Sequence, residues 1–220
     1  MLSTGRMLGR LRVIEQLART SDGFSLSVGS KATRLADVNV DPNKGARPDI
    51  VATVFHLPFG PELFDTILFT DVLQYLPVNT EGLAFFELKR CLKRAGRLVL
   101  SVPNAIGVFT LLDPDRWLLG NHPYTVEEIS RIVVGNGWRV ERLTVSGGIW
   151  EAIGLLIYYF IEYPLSRILR REVPGPLKLG EMADVQYGEQ SKTGYTIFMV
   201  CSRKEDAIPA ISRGMEKAGF

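Results

Sequence analysis

Residues 57–77 read LPFGPELFDTILFTDVLQYLP, and how this stretch is read decides the fold. Asp65 to Phe69 is nearly continuous in apolar residues, as expected of a strand covered on both faces rather than one facing water. It runs into Thr70-Asp71, so a carboxylate stands where the strand ends. A sheet covered on both faces needs helices between its strands, and the flanking sequence supplies them.

Upstream, Phe24, Leu26 and Val28 alternate with serines and stop at Gly29, which predicts a first strand and a turn. A second apolar run, Leu35 to Val40, ends at Asp41-Pro42, and a third spans Asp49 to Phe55. Downstream, a helix is predicted over Glu81 to Arg94, with Leu83, Phe86 and Cys91 near one face and Lys93, Arg94 and Gly96 as its stop. A strand from Arg97 to Val102 follows. Thr125 and Glu128 form a capping box that opens a helix through Val134. Gly135 and Gly137 end that helix before strands at Trp138–Val145 and Tyr195–Cys201. Strands separated by helices predict a mostly parallel, doubly wound, seven-stranded Rossmann-like sheet in three α/β/α layers.

Composition narrows the function. The chain has 220 residues, enough for one domain with a full core, and 46% of them are apolar. A net charge of +2 provides no field suited to nucleic acid. Cys91 and Cys201 imply no disulfide framework, and with His56 and His122 as the two histidines no metal site is expected. Arg6, Arg10 and Arg12 interrupt the first apolar residues, so residues 1–22 are expected to form an amphipathic helix rather than a signal peptide, in a cytoplasmic protein. Met7, Leu11, Ile14 and Ala18 recur at helical spacing, with Arg10, Glu15 and Arg19 turned elsewhere.

In open α/β sheets, ligands bind outside the carboxyl ends of the strands. Here those ends read Val28-Gly29-Ser30, Asn39-Val40-Asp41-Pro42, His56-Leu57-Pro58-Phe59 and Thr70-Asp71-Val72-Leu73. In order and spacing they resemble the class I S-adenosylmethionine (SAM)-dependent methyltransferases, in particular the small-molecule, type 11-like group. LPF followed by FDTILFTDVLQYLP is the strongest match, and LKRAGRLVLSVPN matches the next helix and strand. The resemblance covers 23–145, and 195–204 looks like the family's final, antiparallel strand.

The resemblance implies SAM as cofactor and a small-molecule or lipid-linked methyl acceptor, methylated at oxygen or nitrogen. Gly29 and Ser30 would approach the amino-acid end of SAM. Asn39, or Asp41 where the first loop is short, would hold the ribose hydroxyls. Phe55, His56 and Leu57 would border the adenine, and Asp71 would lie near the methyl group as a SAM contact or a base. His122, on the loop after the fifth strand, is a residue type suited to act as a general base on an acceptor. The sequence departs from the family at the glycine-rich loop, cut to Gly29-Ser30-Lys31, at Ser27 in the first strand and at Thr53 before LPF. These departures support an alternative, a non-catalytic protein that keeps the fold for binding or scaffolding.

A methyltransferase-like domain is therefore expected over 23–204, with a hydrophobic insertion at about 149–180 and a tail over 205–220. The apolar core of the insertion, Ala152 to Ile161, is about half of what spans a bilayer, and Glu151, Glu162 and Pro164 flank it, against a transmembrane helix. A lid, a homodimer contact over 149–171, and a peripheral membrane contact using Arg167, Arg170 and Arg171 remain open.

Overall fold

The computed structural model describes residues 8–18, 23–29, 34–106, 116, 120–170, 177–188, 191 and 193–204. Six strands form one sheet: β1 (Ser25–Val28), β2 (Val38–Val40), β3 (Phe64–Thr70), β4 (Leu92–Pro103), β5 (Trp138–Ser146) and β6 (Thr196–Arg203), in the order β2-β1-β3-β4-β6-β5. β2, β1, β3 and β4 pair in parallel, and β6 runs antiparallel between β4 and β5. The expected Rossmann-like α/β class and antiparallel last strand hold.

Among the described residues the strand count is six, not seven. The run Asp49–Phe55 contributes a single bridge, Ile50 to Val40, and then turns back on itself where the His56 N–H donates to the Thr53 carbonyl at 3.1 Å. Val51 and Thr53 lie exposed, so this run lacks the two-sided burial that a sheet strand of this kind requires.

One face of the sheet is apolar across its width. Leu26, Val28, Val40, Ile67, Phe69, Leu98 and Leu100 pack there with Phe85, Leu88, Ile129 and Val133. The last four belong to α2 (Glu81–Cys91) and α3 (Val126–Gly135). The capping box of α3 forms as expected, with Thr125 accepting from the Glu128 N–H at 3.1 Å and Glu128 accepting from the Thr125 N–H at 2.9 Å. The buried face of α2 differs from the one expected. Ala84, Phe85, Leu88 and Cys91 face the core, while Leu83 and Phe86 are exposed. Positions 84, 88 and 91 follow the helical period, whereas 83, 86 and 91 drift around the helix. The helix also ends at Cys91 rather than Arg94, because Leu92 already pairs with Phe64 as strand.

The opposite face is covered by α1 (Leu8–Ala18) and α6 (Leu177–Tyr187), which follows α4 (Ile149–Ile157), a π-helical turn (Tyr158–Glu162) and α5 (Tyr163–Leu169). Ile14, Leu17 and Tyr187 meet Leu68, Val99, Phe198 and Val200 there. Register puts Ser27, Asn39 and Leu68 in one row of this face. Ser27 and Asn39 lie in the part of the row where a first crossover helix is expected in such folds. Among the described residues between β1 and β2 there is no helix, so polar side chains fill that part of the face. Met7, Arg19, Lys31 and the 205–220 tail lie outside the described residues.

Candidate active site

Three strand ends converge at the carboxyl edge of the sheet. Gly29 follows β1 with φ +73°, and its N–H donates to the Val40 carbonyl at 2.7 Å. A Cβ at Gly29 would lie 2.2 Å from Cγ2 of Val72. Glycine is thus required twice, by the left-handed backbone and by the valine seated over it. Ser30 lies outside the described residues.

Asp41 follows β2 and is buried, and its Oδ1 accepts from the Asn43 N–H at 2.8 Å. This is an Asx turn, which fixes the carboxylate at the strand end. Asn39 is buried two residues earlier and turned sideways. Its Nδ2 donates to the Ala36 carbonyl at 3.1 Å and to Asp49 Oδ2 at 2.9 Å. The two hydrogen bonds from Asn39, one from its side chain and one from its N–H, hold the Asp49 carboxyl below its ordinary pKa.

Asp71, at the end of β3, adopts φ +56°, and its N–H donates to the Ser101 carbonyl at 3.0 Å. Both carboxylate oxygens are held: Ser101 Oγ donates to Oδ1 at 3.0 Å, and Arg10 Nη1 donates to Oδ2 at 2.7 Å. Arg10 is 6% exposed. Its other arm pairs with Glu151 of α4, and its Nε donates to the Tyr187 hydroxyl at 3.3 Å. That hydroxyl lies 3.2 Å from Thr196 Oγ1, and the guanidinium sits 5.6 Å from the centre of the Tyr195 ring. Burial opposes the charge of Arg10, but the two carboxylates outweigh it and hold the guanidinium above its ordinary pKa.

His122 is exposed, its N–H donating to the Gln74 carbonyl at 2.9 Å and its ring edge-on to Tyr124 at 5.2 Å. The histidine loop is thereby tied to the 3₁₀ turn just after Asp71. Gln74 itself is 3% exposed, and its side-chain oxygen is buried with no hydrogen-bond partner among the described residues. Phe55 is half-buried against the core and His56 is exposed. Leu57 is buried, its N–H donating to Glu87 at 3.1 Å and its carbonyl accepting from Arg90 at 3.0 Å. This segment is therefore fastened to α2.

Arg10, Glu151, Gln74 and Ser101 are site residues that the sequence reading did not select. Arg10 was expected on the outer face of the first helix. It instead shares the buried face with Ile14 and Leu17, at spacings of four and seven. That spacing was a readable signal, overridden by the assumption that a charge faces water.

Residues 12–100 match the family model of a methyltransferase domain. No curated protein matches the chain in sequence. Among solved structures, a SAM-dependent methyltransferase from Thermotoga maritima is similar at 17% identity and TM-score 0.60, over 91% of this chain and 90% of that one. A didemethyltoxoflavin N1-methyltransferase from Burkholderia thailandensis, solved with S-adenosylhomocysteine, gives 12% and 0.55 over 92% and 80%. A geranyl diphosphate C-methyltransferase from Streptomyces coelicolor gives 11% and 0.58 over 88% and 77%. The family model matches a methyltransferase domain over residues 12–100, and the solved structures show a fold similar to that of the class I SAM-dependent methyltransferases. The cofactor of that class is S-adenosylmethionine. The residues present fit it at the Asp41 strand end, where a buried carboxylate can accept from hydroxyls, and at the partnerless oxygen of Gln74.

Proposed function

We propose that the chain transfers a methyl group from SAM to a small-molecule or lipid-linked acceptor, at oxygen or nitrogen. SAM supplies a methyl group on a sulfonium, which is already a good leaving group. The protein's part is alignment and exclusion of water rather than strong acid–base chemistry.

The observation that carries the proposal is the meeting of Gly29, Asp41 and Asp71 on adjacent parallel strands at the ligand-binding edge of the sheet. In this reading Asp41 accepts from the ribose hydroxyls. Asp71, with both oxygens held by Arg10 and Ser101, orients the acceptor side of the site rather than moving a proton. His122, at the rim beside the Gln74 turn, takes the proton from the acceptor. Phe55 and His56 border the nucleoside, and Asn39 shapes the loop rather than touching the ligand.

One observation favours a second reading, a non-catalytic binding protein. The N–H of Gly29 is committed to Val40, and the space over it belongs to Val72. A cofactor reaches this turn only if the Val72 methyl swings aside.

Isothermal titration with SAM and S-adenosylhomocysteine separates the two. Methyl transfer predicts binding that Asp41→Ala weakens about tenfold to a hundredfold, the loss of charge-assisted hydrogen bonds worth about 1.5–3 kcal/mol. No binding by the folded protein would establish the second reading.

A further inference from the structure

We propose that the helical segment from Ile149 to Leu169 is a docking surface for an anionic lipid bilayer. This surface stands independently of the methyl-transfer reading.

The segment is 21 residues long, long and apolar enough by length and composition to cross a membrane, yet only 12% of its most apolar stretch is buried in the protein. Its two halves differ. The first half, α4, is anchored: Glu151 and Ala152 are buried, with Glu151 paired to Arg10, and the helix packs on α6. The second half projects. No residue of α5 is buried, and among the described residues its extensive packing is with the adjoining π-helical turn. Phe160, Ile161, Leu165, Ile168 and Leu169 are exposed, Ile168 to 77%. A helix that is apolar and uncovered on most sides needs an apolar surrounding that the described residues do not provide.

The distribution of charge identifies that surrounding. Both acids of the segment, Glu151 and Glu162, are buried against the protein. The cations, Arg167 and Arg170, are exposed at the far end, and Arg171 follows in sequence. Acids inward and cations outward beside exposed apolar side chains suit an anionic headgroup layer over acyl chains. Tyr158, Tyr159 and Tyr163 form an edge-to-face cluster, with ring centres 4.9 and 6.1 Å apart, where an amphipathic ring belongs at such a boundary. Because both acids are buried against the protein, the segment docks on the bilayer and does not span it.

The test is flotation of the full chain with phosphatidylcholine vesicles, with and without phosphatidylglycerol. Binding is expected with phosphatidylglycerol. It should weaken about tenfold in Arg167→Gln with Arg170→Gln, and also at high salt. Ile168→Ser with Leu169→Ser should weaken it at least about tenfold. Circular dichroism should be unchanged in both variants. A folded chain that fails to float overturns the proposal, as does equal binding to both vesicle types. A dimer in sedimentation that the Ile168/Leu169 variant dissolves, without vesicle binding, assigns the face to a second copy instead. SAM titration of the same preparation reports separately on the methyl-transfer reading.

Discussion

The two faces of this sheet are held by different physics. Toward α2 and α3 the strands present an unbroken apolar surface, and the helices that cover it lie close in sequence to the strands they cover. Toward α1 and α6 the apolar surface is narrower, formed by Leu68, Val99, Phe198 and Val200 against Ile14, Leu17 and Tyr187. Beside β1 and β2 it carries Ser27 and Asn39, and its chain contacts are long: Arg10 reaches 141 residues to Glu151 and 177 to Tyr187. Burial of apolar surface is non-directional and tolerant, whereas a buried charge network is directional and fails whole. The first face fixes the fold. The second, which carries the candidate site, is the one single substitutions can undo.

The largest expected effect tests that contrast directly. Phe85→Ala on the apolar face and Arg10→Met on the polar one should each destabilise by about 3–5 kcal/mol in chemical denaturation, the first by a cavity and the second by stranding two carboxylates. Their rescue should differ. Adding Glu151→Leu to Arg10→Met should recover most of the loss, because a buried ion pair can often be exchanged for packed apolar groups. If the double variant is no better than Arg10→Met, the polar face is not held by charge balance.

A smaller effect sharpens the comparison around β1 and β2, where carboxylates accept hydrogen bonds from the neighbouring chain. Asp37 accepts from Ser25, Asp49 from Asn39 and Asp65 from Phe24 and Lys93, and each is held below its ordinary pKa chiefly by those hydrogen bonds. A lowered folded-state pKa contributes stability that is present above the unfolded value, about 4, and lost as pH falls through the folded one. Hydrogen exchange below about pH 4 should therefore release the amides of β1 and β2 before that of Leu88 in α2. Simultaneous release would mean that β1 and β2 do not depend on these groups.

The smallest effect concerns Val72. Removing the methyl groups over Gly29 in Val72→Ala should raise SAM affinity severalfold in titration, by sparing the displacement that binding requires. Unchanged or lower affinity would show that the ligand does not approach this turn.

What could be read from the sequence follows the same division. Local signals worked: the apolar run before Asp71, the turn at Gly29, and the capping box at Thr125 and Glu128 all describe interactions within a few residues. The third strand failed because an apolar run does not reveal whether a second face is covered, and at Val51 and Thr53 it is not. The face of α2 failed because Leu83 and Phe86 are as apolar as the residues it buries. Asp71 was legible as a strand-end carboxylate, but its partner Arg10 lies 61 residues away and looked like a surface charge. Gly29 was read as room for a ligand, when Val72 already gives it a packing reason.

The reach of Arg10 sets a schedule for the chain's birth. A ribosome adding about 5–20 residues per second exposes Arg10 well before Glu151, 141 positions later. For about 7–28 seconds the nascent helix has its guanidinium but not the carboxylate from α4 that will help neutralise it. Helix α1 is therefore made well before its α4 partner and is among the last elements to be secured, and during that interval its apolar side is open to chaperones.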